Sequence, residues 1–189
     1  MILSLAVIFG LAATIIRARI MKRSLVLPSL HLEWLVFAAV IPQILTFFIP
    51  GLAKVVPETL VPYIQILSMS GLIVFVAINI MKTGFVILGV GLVSNFLAIA
   101  TNGGWMPISV KTLTRLHPEI AVESWKVGQR LLLTKDRIQS PERTNLAFLT
   151  DILNLPSWIS YKFAFSVGDI LIAIGMISIL WSLSNPIKE

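Results

Sequence analysis

The chain has 189 residues, of which 57% are hydrophobic and only 13% charged, with a net charge of +6 and no cysteine. An ordinary soluble domain carries roughly 45–50% apolar and about 25% charged residues, so this composition, with a mean hydropathy of +0.92, predicts an integral membrane protein. The lack of cysteine excludes disulfides, thiolate catalysis, iron–sulfur clusters and cysteine-based zinc sites.

A membrane span needs about 20 mostly apolar residues, within a range of roughly 17–25. In chain order the segments that fit are Met1–Ala18, Leu32–Ile49, Leu60–Met81, Lys82–Thr101 and Phe163–Leu183. The predicted fold is all-α: one domain over residues 1–189, an integral membrane bundle of five transmembrane helices, with a helical extramembrane loop over residues 102–162 between the fourth and fifth. The first segment has its charges after the apolar run, the reverse of a secretory signal, and is expected to persist as a span. Pro42 removes a backbone donor and is expected to kink the second span. Lys82-Thr83-Gly84 marks a tight hairpin between the third and fourth.

Arg17, Arg19, Lys22 and Arg23 follow the first span directly, where positive-inside anchoring accounts for them. No nucleic-acid-binding motif accompanies the charge, so no nucleic-acid partner is expected; the lipid bilayer is. With Lys82 and Lys188 on the same side, the basic excess predicts an outside N-terminus and an inside C-terminus. The basic residues of the long loop, from Lys111 to Lys162, pull the other way, but loops of about 60 residues carry little topological weight. Trp34 and Trp181 fall at inner ends and Trp105 and Trp158 at outer ends, where indole rings favour the headgroup level.

Within the long loop, Ser109 is placed to cap a short helix through Leu116, which Pro118 ends. Ala121–Leu133 is patterned as an amphipathic helix. Ser140-Pro141-Glu142 resembles an N-cap with proline at the first helical position and an acid in the first turn, predicting a helix through Leu153 that Pro156 stops.

Asp169 is the one acid inside a span. A carboxylate there costs roughly 2.5–3.5 kcal/mol on insertion scales, so it should face protein or water. In the fourth span Gly84, Leu88, Gly91, Asn95, Ala98 and Asn102 share one face, small or polar enough for close helix approach. Asn95 lies about 10 Å along the helix from Asn102, and Asp169 about 9 Å in from Phe163, so the two should share a depth. Gln65 and Ser68, Gln43 and Thr46, and Ser166 lie at that level too. They predict a polar pocket in the outer half, roofed by the long loop. Asp151 is expected to cap local backbone or to reach the same pocket. A purely structural role stays open: Asp169 pairing with Asn95 would hold two helices together, and Asn102-Gly103-Gly104 would be a helix C-cap.

Taken together, Asn95, Asn102-Gly103-Gly104-Trp105-Met106-Pro107, Phe148-Leu149-Thr150-Asp151 and Phe165-Ser166-Val167-Gly168-Asp169-Ile170-Leu171-Ile172 resemble a family of small bacterial membrane proteins known only as a domain of unknown function. The resemblance runs from about Ile2 to Leu183. It implies a bacterial plasma-membrane, multi-pass protein and supplies no established catalytic residues.

His31 and His117 are predicted on opposite sides of the bilayer and cannot share a haem or zinc ion. No HExxH, Walker, GxSxG or dinucleotide fingerprint occurs. No catalytic residue, metal site or cofactor is therefore assigned. The reading favoured is a non-enzymatic binding or accessory subunit whose outer pocket is built from Asn95, Asn102, Gly103, Gly104, Ser166 and Asp169 and takes a small ligand or another membrane protein. A small transporter or ion-coupled carrier, and a membrane enzyme acting on a lipid or envelope substrate, are the alternatives.

Overall fold

The computed structural model describes residues 2–132, 134–156, 158–159 and 161–184. Met1, Leu133 and Lys188, each used in the expectations above, lie outside the described residues. The described chain is mostly helical: α1 (Ile2–Ile20), α2 (Trp34–Phe47), α3 (Pro50–Ala53), α4 (Val61–Ile78), α5 (Phe85–Ala100), α6 (Val110–Leu116) and α7 (Val167–Ser182). Of the five expected spans, α1 and α4 are both long and apolar enough to cross a membrane. The other three, α2, α5 and α7, are apolar but shorter, at 14, 16 and 16 residues.

The long apolar helices pack side by side in the order α1, α7, α5, α4, α2. Their directions follow from the contacts. Gly10 faces Ile177 and Leu180 while Arg17 lies over the Trp181 ring, so α1 and α7 are parallel. Gly84 faces Ile179 and Gly91 faces Ile172, so α5 and α7 are antiparallel. Gly89 against Val76, with Met69 clustered against Ala98 and Ile99, makes α4 antiparallel to α5, and Gly71 against Ala39, with Asn79 bonded to His31, makes it antiparallel to α2. One end of the layer therefore collects Arg17, Arg19, Lys22, Arg23 and Lys82. The other collects Ile2, the α2–α4 connection and the described residues between α5 and α7.

The α5–α7 contact is set by glycines seven residues apart on each helix, Gly84 and Gly91 against Gly168 and Gly175. A Cβ on Gly91 would stand 2.7 Å from the Gly168 carbonyl oxygen and from Ile172 N, closer than real side chains come. Only bare backbone lets the two helices approach this far. The core beside it is Phe75, Val76, Phe85, Leu88 and Leu92, with Met69, Ala98, Ile99 and Met106 nearer the loop end. Pro42 sits inside α2, and the Thr46 hydroxyl donates to the Pro42 carbonyl at 2.7 Å.

The segment between α5 and α7 departs most from expectation. Ser109 does cap α6, its Oγ accepting the Thr112 amide. Among the described residues, however, the only helical turn in the amphipathic stretch from Ala121 is the 3-10 turn Val122–Ser124, and those in the stretch after Ser140 are the 3-10 turns Pro141–Arg143 and Ala147–Leu149. In place of helices there are strands. β1 (Met106–Ile108) pairs in parallel with β2 (Asp136–Ile138), and β3 (Leu153–Asn154) pairs antiparallel with β4 (Ala164–Phe165). Ile108 and Ile138 bury against Leu113 and Val110. Here packing decides the backbone, because a helix could not offer β1 its partner. The all-α expectation is thus corrected to a mostly helical fold with two small sheets.

Two further corrections concern single residues. Phe163–Phe165 does not begin the last helix: Ala164 and Phe165 are extended in β4, and α7 starts at Val167, so Asp169 lies in its first turn rather than two turns in. Trp105 is 3% exposed, with the Arg137 guanidinium 4.8 Å and the Arg130 guanidinium 5.6 Å from its ring centroid. It is a core residue of the loop end and not a headgroup anchor; Trp34 and Trp158 are exposed.

Candidate functional site

At the start of α7 the chain must turn out of β4, and Ser166 makes that turn. Its Oγ accepts the Asp169 amide at 3.0 Å, and Asp169 Oδ2 accepts the Ser166 amide at 3.0 Å, a reciprocal capping box that satisfies two otherwise orphaned donors. Asn95 on α5 closes the ring from the neighbouring helix. Its Nδ2 donates to Asp169 Oδ1 at 2.8 Å, and its Oδ1 accepts the Ser166 hydroxyl at 2.7 Å. Gly168 admits this geometry, since a Cβ there would overlap Asn95 Oδ1. Ser166, Asp169 and Asn95 are brought together, and both carboxylate oxygens of Asp169 are engaged.

Asn102, Gly103 and Gly104 lie elsewhere. Asn102, 7% exposed, clamps a distant loop: its Nδ2 donates to the Asn145 carbonyl at 2.9 Å and its Oδ1 accepts the Asn145 amide at 2.9 Å. Gly103 (φ 70°) and Gly104 (φ 82°) are left-handed, and the Gly104 amide returns to the Ile99 carbonyl, closing the helix. Gly104 also packs so close to Pro62 that no side chain would fit. At the opposite end Asn79 makes the same kind of clamp on His31, accepting its amide at 2.9 Å and donating to its carbonyl at 3.0 Å.

Beside the Asn95–Asp169 ring lies a cavity of about 430 Å³, within the roughly 300–1,000 Å³ of ordinary ligand sites. Gln43, Gln65, Asn95 and Asp169 contribute from α2, α4, α5 and α7, and Thr134, Lys135 and Asp136 cover it from the long connection. A smaller cavity of about 210 Å³ adjoins it, sharing Leu3, Lys135, Asp136, Asp169 and Ile172 and adding Asp151. Asn102, Gly103, Gly104 and Ser166 line neither. The cover is held from outside by the Arg137–Glu58 ion pair at 2.9 Å.

The charged centre of this site is Lys135. Its Nζ lies 2.9 Å from Asp151 Oδ2 and 3.4 Å from Asp136 Oδ1. Asp151 is 2% exposed and serves this ion pair at the edge of the smaller cavity rather than bonding local backbone. Burial opposes the Lys135 ammonium, but Asp151, Asp136 and Asp169 together outweigh it and raise its pKa. Burial pushes the Asp151 carboxyl up; Lys135 pulls it back, and the Asp136 and Asp169 carboxylates add to the rise, leaving it at about 7. The two directions agree physically: three carboxylates around one ammonium keep Lys135 protonated, while burial beside two other acids raises Asp151. Sequence reasoning missed Lys135 and Asp136. A Lys-Asp step in a charged loop has no periodicity that marks it, and only the β1–β2 pairing swings it over the helices. Among the described residues no cluster of His, Asp and Glu is arranged to hold a metal ion.

Fold and site together describe a mostly helical chain with two helices able to cross a membrane and a covered, partly polar cavity at one end. The chain belongs to a family of unknown function, DUF5317, whose match covers residues 28–181, from just before α2 almost to the end of α7. No curated protein and no solved structure matches it.

Proposed function

We propose that this is a five-span membrane protein whose cavity binds a small ligand without catalysing its reaction. The observation that carries the reading is Gln65. It is 2% exposed on the cavity wall, and its Oε1 has no hydrogen-bond partner. A buried polar group left unsatisfied costs about 1–3 kcal/mol, a cost that makes sense where a ligand supplies the partner. The described residues lining the larger cavity include no serine, cysteine or histidine. Asp169 is held by its cap and Asn95, and Lys135 by carboxylates.

The membrane reading rests on what the helices leave uncovered. Only 22% of the α1 window and 33% of the α4 window are buried, whereas the core helix of a soluble protein is mostly buried. Phe9, Phe37, Leu67 and Phe48 are each at least 65% exposed, and apolar surface on this scale calls for lipid. α2 alone reaches only about 21 Å of the roughly 30 Å hydrocarbon core. The exposed Phe48, Leu52 and Val55 continue its apolar surface. The basic end of the layer faces the cytoplasm on the positive-inside rule, which puts the cavity on the outer side.

The test is Gln65→Leu in purified protein. With no ligand present, replacing an unsatisfied amide by an apolar side chain of similar volume raises thermal stability. A fall of about 1 kcal/mol or more would mean that Gln65 has a structural partner, and the binding reading would be lost.

A further inference from the structure

Among the described residues of the two cavity walls, the fully buried side-chain atoms without a hydrogen-bond partner are all oxygens. Besides Gln65 Oε1, the buried Asp151 Oδ1 accepts no hydrogen bond, and Asp136 Oδ1 has only the Lys135 ammonium, 3.4 Å away. Asp136 belongs to the wall shared by the two cavities, with Gln65 in the larger and Asp151 in the smaller. An ionised carboxylate and an amide oxygen can only accept, so these atoms call for a donor. Its charge points the same way. The carboxylates of Asp136, Asp151 and Asp169 face the single ammonium of Lys135, and two of them lie within 3.4 Å of it. The rest of the larger cavity is apolar, with Leu3, Phe47, Met69, Leu72, Leu92 and Ile172 running from the covered end down the layer.

Resting on the reading of this cavity as a ligand site, we infer that its occupant is a single-chain amphiphile with a protonated amine head. The ammonium supplies donors and positive charge at the Asp136–Asp169 wall, where Gln65 and Asp151 flank it. The alkyl chain lies along the apolar part between the helices. An anionic head meets carboxylates, a like-charge contact that selects against it. An alcohol head supplies one donor and no charge.

The experiment uses the full chain in a neutral sugar detergent and native mass spectrometry with three probes of one chain length: n-decylamine, decanol and decanoate. Decylamine is expected to bind one to one, roughly tenfold or more tighter than either competitor. Asp136→Asn weakens decylamine by about the same factor, and Gln65→Leu serves as the second variant should the first fail to fold. Leu72→Trp, which fills the apolar part, removes binding. Decanoate or decanol binding as well as decylamine overturns the amine assignment and leaves the ligand site standing. If none of the three binds to folded protein, the ligand site itself is overturned.

Discussion

Asp169 would ordinarily draw attention as an ionisable group in an apolar helix, yet its hydrogen bonds give it a structural task. It closes a helix cap and ties α7 to α5 through Asn95. An N-cap is worth about 1 kcal/mol and a cross-helix bond in a membrane protein about 0.6 kcal/mol, so the ring contributes modestly. Ser166→Ala, which removes both the cap and the Asn95 contact, should destabilise the protein by about 1–2 kcal/mol in thermal or denaturant unfolding. Asp151 behaves differently. Its carboxyl is raised from the usual 3.8 to about 7 in the folded state. Below the unfolded value both states are protonated and its contribution is fully present. Between there and about 7 the folded protein holds a proton the unfolded chain has released, so stability is lost as pH rises. Melting temperatures measured across that window should fall less in Asp151→Asn than in the parent; equal slopes would contradict the assignment.

At the scale of elements, the α5–α7 pair depends on backbone proximity more than on its polar ring. Gly91→Ala would drive a Cβ into the Gly168 carbonyl and Ile172 N. The helices would have to separate along their length, with a cost of about 1–3 kcal/mol typical of overpacking. The variant should melt earlier than Ser94→Ala on the exposed face of the same helix. The two asparagine clamps work by another principle. Asn79 and Asn102 each satisfy both backbone groups of one residue in a connection, His31 and Asn145. Asn102→Ala leaves the Asn145 amide and carbonyl unpaired, so limited proteolysis should cut the segment around Asn145 faster while α5 stays intact. Unchanged cleavage would show that β1–β2 alone secures it.

For the whole molecule, the curved row α1, α7, α5, α4, α2 brings its outer members to a common cavity, since Leu3 of α1 and Phe47 of α2 both line it. A five-span arrangement with the basic end inside has a direct test. The chain has no cysteine, so Lys82→Cys and Glu142→Cys each create a single label site without background. A membrane-impermeant maleimide applied to intact cells should modify the Glu142 position and spare the Lys82 position. Labelling of both or of neither would refute that topology.

The amino-acid sequence by itself determined that the chain is apolar and mostly helical, roughly where the long helices fall, and which face of α5 is small and polar. Each is written locally, in composition or in a 3.6-residue period. The Ser166 cap was half legible, because serine and aspartate three apart suit a helix start, but extending the last helix back to Phe163 hid it. Only the tertiary structure decided that Ala164–Phe165 pairs with Leu153–Asn154, that Asp151 is buried against Lys135, and that Lys135 and Asp136 cover the cavity. Those contacts join residues up to tens of positions apart, and a strand of two or three residues carries no periodic signal of its own. It exists because its backbone groups find partners once the helices have packed.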